Sequence, residues 1–493
     1  MPFTPEFLWT DRLIYLLLAV VAVLVWHIRR HEHLRAPWRK VARSASGMSA
    51  ATVLACFVVI GLLDSVHYRP AIAVKDGRTI YAVEVLSLLD AIAAPLRQRR
   101  EKTYSAPLAT HLFSKETMTL PDGREVRDFP RLRHGGAHLK NPETELVPDL
   151  VRRALLGLGL AAILWLLLTA LLCAVLARRG RTGVAAAWRA VWKGETEIPW
   201  RAVLATAAVI LAVATPLVLI AGSYHVFGTD KVGQDVFYQA LKSVRTGLVI
   251  GTLTTLVMLP FALALGVMAG YFKGWVDDAI QYLYTTLSSI PGVLLIAAAV
   301  LMMQVWIETH PDLFDTVLAR ADLRLLFLCG ILGITSWTGL ARLLRGEALK
   351  LREMEYIQAA HAFAVPHSRI LARHILPNVM HIVLIAMVMD FSGLVLAEAV
   401  LSYVGVGVDP TTISFGTMIN SARLEMAREP MVWWSLAAAF GFMLLLVLSA
   451  NLFADAVRDA FDPRIRSAQP AGKMGSGSNF RPGLGGASAE NRT

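Results

Sequence analysis

Three groups of residues invite a chemical reading by their type and spacing. His31-Glu32-His33 places two imidazoles around a carboxylate. A zinc-binding helix needs its histidines at i and i+4, and this triplet sits in an arginine-rich stretch, so no metal site is expected. Gly472-Lys473-Met474 is the nearest string to a phosphate loop, yet it lacks the hydroxyl residue and the upstream glycine. No Gly-x-Ser-x-Gly elbow occurs, which leaves an embedded hydrolase with little support. Asp390 and Glu398 differ from these because they fall inside an apolar run, where an ionisable group is expensive and faces the protein interior or a water-filled path. Eight helical residues separate them by ~12 Å along the axis and ~80° around it. They can line one side of a translocation path, or hydrogen-bond to a neighbouring helix.

The elements that would position these groups follow from composition. Of 493 residues, 55% are hydrophobic and 17% charged, against roughly 25% charged in a soluble globular protein; mean hydropathy is +0.53. The chain reads as an all-α polytopic membrane protein. Apolar runs near the ~20 residues needed to cross a bilayer recur at about 13–28, 48–64, 154–177, 202–222, 246–270, 278–305, 323–341, 379–400 and 432–454. The first run follows Glu6 and Asp11 rather than a basic start, so it reads as a retained span and not a cleaved leader. Cys56, Cys173 and Cys329 all lie in apolar runs, which excludes a disulfide framework. The excess of 48 Lys+Arg over 37 Asp+Glu is sorted by loop and needs no nucleic acid to explain it. Arg29, Arg30, Arg35, Arg39, Lys40 and Arg43 follow the first span, and a similar cluster from Arg178 to Arg201 follows the third. Such loops resist translocation. They belong in the cytoplasm, which puts the N-terminus outside and the loop 342–378 and the C-terminus inside.

Residues 65–149 then form a segment on the outside. Lys75-Asp76-Gly77-Arg78 and Pro121-Asp122-Gly123-Arg124 predict two short hairpins, and Val85 to Ala93 repeat at helical spacing, giving a small α+β insert. Residues 467–493, rich in Gly, Ser, Ala and Pro, predict a disordered tail. Val232, Val236, Phe237, Ala240, Leu241 and Val244 predict an amphipathic helix over 231–245 lying at the membrane surface. Thr229 or Asp230 would cap it, or would contact an external binding protein. Pro216, Pro260 and Pro291-Gly292 interrupt spans, as gate kinks or as tolerated prolines.

Between the seventh and eighth spans, Pro366 ends one helix and Pro377 marks entry to the next span, so two short helices are expected. Tyr356, Ala360 and Phe363 share a face of the first, beside the small Ala359 and Ala362. Aromatic knobs among small neighbours can seat in a groove on another protein.

The stretch from Glu355 through Gln358-Ala359-Ala360 and Ala364 to Arg369 and Leu376-Pro377 closely resembles the cytoplasmic coupling loop of ABC-importer permeases, the pattern Glu-Ala-Ala-x-x-x-Gly followed by Leu-Pro. The likeness extends to the dipeptide/oligopeptide branch through Gly228-Thr229-Asp230 with Gly233-Gln234-Asp235, Ala269 to Asp277, Thr335 to Arg342, Arg345-Gly346-Glu347, Leu396 to Ala399, Leu401 to Gly407 and Arg458 to Arg464. It covers about 201–466. Gln358 stands where the family usually has Glu, and Ala364 where it usually has Gly. Glycine allows a left-handed turn at no steric cost; with alanine, either the turn is right-handed and set by Pro366, or the coupling geometry differs.

The resemblance implies a type I ABC importer permease core of six spans at 201–466. Three extra N-terminal spans and the external insert would precede it: 1–64 with two spans, 65–150 the insert, and 151–200 a third span and linker. It further implies a transport subunit of a bacterial inner membrane without its own ATPase site or cofactor, carrying dipeptides, oligopeptides or similar solutes. ATP and Mg would be bound by two partner ATPase subunits seated on Glu355, Tyr356, Gln358, Ala359, Ala360, Phe363 and Ala364. A second permease and a periplasmic solute-binding protein would complete the machine. Two other classes fit the composition: an ion-gradient-driven carrier using Asp390 and Glu398, for which midplane repeats would speak and none is seen, and a membrane scaffold acting through its insert.

Overall fold

The computed structural model describes residues 3–75, 78–119, 125–311 and 316–461. The predicted tail at 467–493 lies outside these. A strand β1 (Phe3–Glu6) leads into the apolar helix α1 (Trp9–Arg30), the basic helix α2 (Glu32–Arg43) and α3 (Ala45–Asp64). A small β layer follows, with β2 (His67–Lys75), β3 (Arg78–Tyr81), β4 (Leu86–Ser87), short helices α4 (Leu88–Ile92) and α5 (Ala94–Gln98), and the pair β5 (Glu116–Thr119) and β6 (Glu125–Asp128). Next come α6 (Pro142–Gly180), α7 (Val184–Lys193), α8 (Trp200–Ala221), α9 (Val236–Phe272), α10 (Gly274–Ser289), α11 (Gly292–Thr309), α12 (Val317–Ser336) and α13 (Thr338–Arg352). The last set is α14 (Glu355–Ala362), α15 (His367–Ile370), a π-helical turn Leu371–Ile375, α16 (Leu376–Val404), α17 (Phe415–Glu425) and α18 (Trp434–Phe461).

Both strand pairs flanking the Asp-Gly dipeptides form. Lys75 sits opposite Arg78 and Thr119 opposite Glu125, while Asp76-Gly77 and Asp122-Gly123 themselves lie outside the described residues. The sheet also recruits the chain's first strand, Phe3 facing Pro70 and Glu6 facing His67. The helical repeat from Val85 yields only the single turn α4. Leu86 and Ser87 pair with β2 instead, and Ser87 and Asp90 form a reciprocal capping box that starts the helix afresh.

Among the described residues, eight helical stretches are long and apolar enough to cross a membrane: α1, α3, α6, α8, α9, α11, α18 and the continuous His367–Val404. Two of the nine expected runs are drawn differently. The run 278–305 is split at Ile290-Pro291 into α10 and α11, with Pro291 as the N-cap of α11. The run 323–341 is α12, which starts at Val317 and turns off at Trp337; Arg320, Asp322 and Arg324 put three charges into its first turns, which sets it apart from those eight. Pro216 and Pro260 leave α8 and α9 unbroken.

Helix α9, about 55 Å long at 1.5 Å per residue, is the axis of the fold and packs against α3, α12, α13 and α16. At its N-terminal half Ile250 and Leu253 join Val300, Leu328, Leu332 and Leu401 in one core. At its C-terminal half Met258 and Tyr271 join Leu344, Ile357, Ile370, Ile375 and Val379 in another.

Candidate functional site

Two ends of α9 carry the candidate residues. At the C-terminal end, the loop after α13 is pinned by Ile357, Ile370 and Ile375, each wholly buried in the core below. Tyr271 is the hub: its hydroxyl lies 2.8 Å from His367 Nδ1 and 3.3 Å from His361 Nε2, and its carbonyl accepts from Arg352 at 2.9 Å. Lys273 pairs with Glu353 at 2.7 Å. With its inner side held, α14 presents Glu355, Tyr356, Gln358, Ala359 and Ala362 outward, and Phe363 beyond its end is 83% exposed. Ala360 is a correction to the expected shared face: it turns half inward and packs, with Leu376, against the buried core. Arg369 and Pro377 are exposed.

The turn between α14 and α15 is left-handed, with Ala364 at φ +54°. A right-handed turn set by Pro366 is therefore excluded; Pro366 instead caps α15. Alanine adopts the glycine conformation because Ala364 N–H bonds to the His361 carbonyl at 2.9 Å and Val365 N–H to the Ala360 carbonyl at 3.1 Å, closing the end of α14 on both sides. Gln358 also has a local reason. Its side-chain amide donates to the Glu353 carbonyl at 3.1 Å, which a carboxylate cannot do. Pro377 does not separate loop from span: it occupies the first turn of α16, where no N–H is needed, and the π-helical turn carries α15 straight into α16.

Within α16, Asp390 and Glu398 part company. Glu398 is 1% exposed and accepts from Ser402 Oγ at 2.7 Å and from Ser414 Oγ, the N-cap of α17, at 2.8 Å. It ties its own helix to the following one rather than to a neighbouring span. Asp390 is half-buried and makes no hydrogen bond or ion pair among the described residues.

At the other end of α9 the structure corrects the capping assignment. The helix starts at Val236, and Asp235 is its N-cap, accepting from Phe237 and Tyr238 N–H. There is no separate surface helix over 231–245, because 231–235 are loop, 236–245 are the first turns of α9, and Val236, Ala240 and Val244 are completely buried. Asp230 folds its own loop, accepting from Val232, Gln234 and Gln239. Thr229 is buried by the segment 103–105: its hydroxyl donates to the Thr103 carbonyl at 2.9 Å and accepts from Ser105 N–H at 2.7 Å. Gly228 and Gly233 have φ of +67° and +72°, and a Cβ on them would run into the carbonyl oxygens of Ser105 and Glu101. Glycine is needed twice over, for backbone sign and for close approach.

Two buried charge clusters that the sequence reading missed lock this end. His225 lies between Asp235, at 2.7 Å, and Glu101, at 3.4 Å, with all three side chains under 5% exposed. Burial works against the His225 charge, but the bonds to Asp235 and Glu101 outweigh it and raise its pKa to about 9. Burial likewise opposes ionisation of Glu101, yet His225 and the N–H groups of Arg133, His134 and Gly135 hold it at about 2. In the second cluster Arg245 reaches Asp11 at 2.6 Å and Thr10 at 2.9 Å, and Lys242 reaches Asp64 at 2.6 Å and Asp90 at 3.1 Å. His67 bonds Asp11 at 2.7 Å, and Thr10 bonds Asp322 of α12. Cations inside the apolar helix α9, and acids at the ends of α1 and α3, were the available signal.

The matched strings have counterparts in known proteins. Residues 262–467 match the family described as binding-protein-dependent transport system inner membrane component. The oligopeptide transport system permease protein OppC of Mycobacterium tuberculosis is 30% identical over 246 residues, 50% of this chain and 78% of that protein. The glutathione transport system permease protein GsiD of Pectobacterium atrosepticum is 33% identical over 247 residues, 50% and 74%. The dipeptide transport system permease protein DppC of Bacillus subtilis is 28% identical over 242 residues, 49% and 69%. With its apolar helices and the pinned loop between α13 and α16, this chain belongs to the family of inner-membrane permease components of binding-protein-dependent ABC transport systems.

Proposed function

We propose that this chain is one permease subunit of an ATP-driven importer for dipeptides, oligopeptides or similar solutes, working with a second permease, two ATPase subunits that bind ATP and Mg, and an external solute-binding protein. The single observation that carries the coupling role is the loop geometry. Ile357 is wholly buried while Tyr356 is 42% and Phe363 83% exposed, so α14 is fixed to the spans yet offers aromatic knobs outward. Force applied to such a short helix passes through Tyr271 and Ile370 into α9 and α16. The relatives' names, which speak of oligopeptide, dipeptide and glutathione transport, support the solute class. No step of ATP hydrolysis is assigned to this chain; its contribution is mechanical.

The reading keeps nine spans by counting α12, with the N-terminus outside, residues 65–150 as an external insert, 151–200 as a third extra span and linker, and a permease core at 201–466. Glu355, Tyr356, Gln358, Ala359, Phe363 and Ala364 form the ATPase contact, with Arg369, Leu376 and Pro377 in the following turn. Because Ala360 serves the chain's own core, Ala359 is the position to perturb. Ala359→Arg should abolish solute uptake and ATPase co-purification while membrane insertion persists; retention of both by that variant would exclude this interface. Impermeant labelling of single cysteines in intact cells should reach position 115 and not 355.

A further inference from the structure

The hairpin formed by α6, α7 and α8 precedes the residues 262–467 that match the permease family, and its turn end carries charge that the coupling loop does not use. Between the end of α6 and the start of α8 stand six exposed cations, Arg178, Arg179, Arg181, Arg189, Lys193 and Arg201, against two carboxylates, Glu195 and Glu197. Glu197 is itself met at 3.4 Å by Arg43 of α2.

Helix α7 does not project from the spans but folds back onto them. Ala187 and Val191, one turn apart, are buried, and Val191 packs with Cys173 of α6 and Leu204 of α8. Cys173 lies about 10 Å before the end of α6 at 1.5 Å per residue. The Trp192 ring is 6.5 Å from that of Trp165 in α6, whose indole N–H donates to the Leu204 carbonyl at 2.9 Å. At the level of Cys173, α6 turns Leu171 and Val175 outward. The open side of α7 therefore lies at the margin of an aliphatic surface.

That open side has two adjoining stripes. Trp188 and Trp192, four residues apart, are 39% and 43% exposed. Arg189 and Lys193 run beside them, one position further on, and are exposed as well. Tryptophan next to cations on a short amphipathic helix suits the boundary where acyl chains give way to headgroups. A third cation joins them at the end of the helix. Gly194 caps α7 with φ +75°, and a guanidinium nitrogen of Arg201 lies 3.7 Å from where a Cβ on Gly194 would sit. Like charges gathered on one surface in this way raise the local potential and favour an anion.

We infer that α7 is a docking site for anionic phospholipid, with Trp188 and Trp192 set at the top of the acyl chains and Arg189, Lys193 and Arg201 holding the lipid phosphate. The inference needs only that the chain spans a membrane, and it is independent of the importer reading. A water-soluble partner would have to reach a helix folded against its own spans, whereas a lipid phosphate is already at that depth. The hairpin leans on α3 through α8. A headgroup held at α7 would thus anchor the layer of the fold that lies outside the family match.

The test is equilibrium binding of fluorescent short-chain phosphatidylglycerol, and of phosphatidylcholine with the same chains, to the detergent-purified full chain. Wild type should prefer the anionic lipid by at least ~10-fold, the factor expected when several cations act on one net negative charge. Arg189→Gln, Lys193→Gln and Arg201→Gln should each lower phosphatidylglycerol binding by ~5-fold, and the triple variant should bind both lipids alike. All three side chains are exposed, so the variants keep the fold. Arg35→Gln, which removes an exposed cation of α2, should leave the preference intact. Equal binding of both lipids by wild type, a preference that survives in the triple variant, or an equal loss in Arg35→Gln, which would reduce the effect to net charge, overturns the inference. Equal competition by glycerophosphoglycerol, the headgroup without its chains, would mark a soluble-anion site instead and equally overturn it. Loss of ATPase co-purification in the triple variant, with no lipid preference in wild type, would assign this face to a protein partner and overturn it too.

Discussion

The Glu101–His225–Asp235 cluster makes the docking of the insert onto the start of α9 dependent on a proton. In the folded protein the His225 pKa rises from an ordinary 6.5 to about 9, which corresponds to roughly 3 kcal/mol of preferential interaction with the imidazolium. Removing one partner of a buried charge cluster costs ~3–5 kcal/mol, so two independent routes agree in size. The sign follows from linkage. A raised histidine pKa stabilises fully below 6.5 and its contribution is lost as pH climbs through 9, whereas the depressed Glu101, near 2 instead of 4.5, stabilises above 4.5 and is lost as pH falls toward 2. Docking is therefore tightest between about 4.5 and 6.5. Ser105 is wholly buried under the loop, so a cysteine there, with Cys56, Cys173 and Cys329 replaced, reports opening by its labelling rate. At pH 6, His225→Gln should speed labelling by about 100-fold, the factor equivalent to roughly 3 kcal/mol. That ratio should shrink toward unity above pH 9.5 as the wild type loses its proton. A ratio that stays constant from pH 6 to 10 would show that His225 acts by shape alone and refute the electrostatic argument.

Three further outcomes are expected. Gly233→Ala should weaken the same docking by more than ~1 kcal/mol, the usual cost of a left-handed alanine, because its Cβ also meets the Glu101 carbonyl; labelling at position 105 as slow as in wild type would contradict this. Arg245→Met should destabilise the detergent-purified protein by ~3–5 kcal/mol by leaving the buried Asp11 with His67 as its one remaining partner among those named, and Asp11→Asn should recover part of that loss in a double-mutant cycle; strictly additive losses would mean that the two do not interact. In vesicles given ATP, Asp390→Asn and Glu398→Gln should retain uptake without an imposed pH gradient. Abolition in both, with gradient-driven uptake by wild type in the absence of ATP, would replace the ATPase-coupled mechanism with a carrier.

What the sequence disclosed and what it hid divide along one physical line. Features set by local periodicity were legible: the apolar runs, the two strand pairs around Asp-Gly, and the short helix that bears Tyr356 and ends at Phe363. Contacts that depend on distant partners were not. Asp235 and Thr229 sit six residues apart in one motif, and nothing local says that the first caps α9 while the second is buried by Thr103 and Ser105, more than 120 residues earlier. Ala364 shows the same limit at short range, since its side chain argues against a left-handed turn, yet the closing bonds of α14 at Ala364 and Val365 go with one, between the buried Ile357 and Ile370. The most informative residues were those that broke a local rule. Lys242 and Arg245 in an apolar helix are costly alone, and each is matched by acids from the N-terminal part of the chain: Asp64 and Asp90 for Lys242, Asp11 for Arg245. A region before residue 200 that supplies the counter-ions of α9 is not an appendage, because removing it would strand two buried cations. It follows that α1, α3 and the β layer must move with the N-terminal half of α9, whatever path the solute takes.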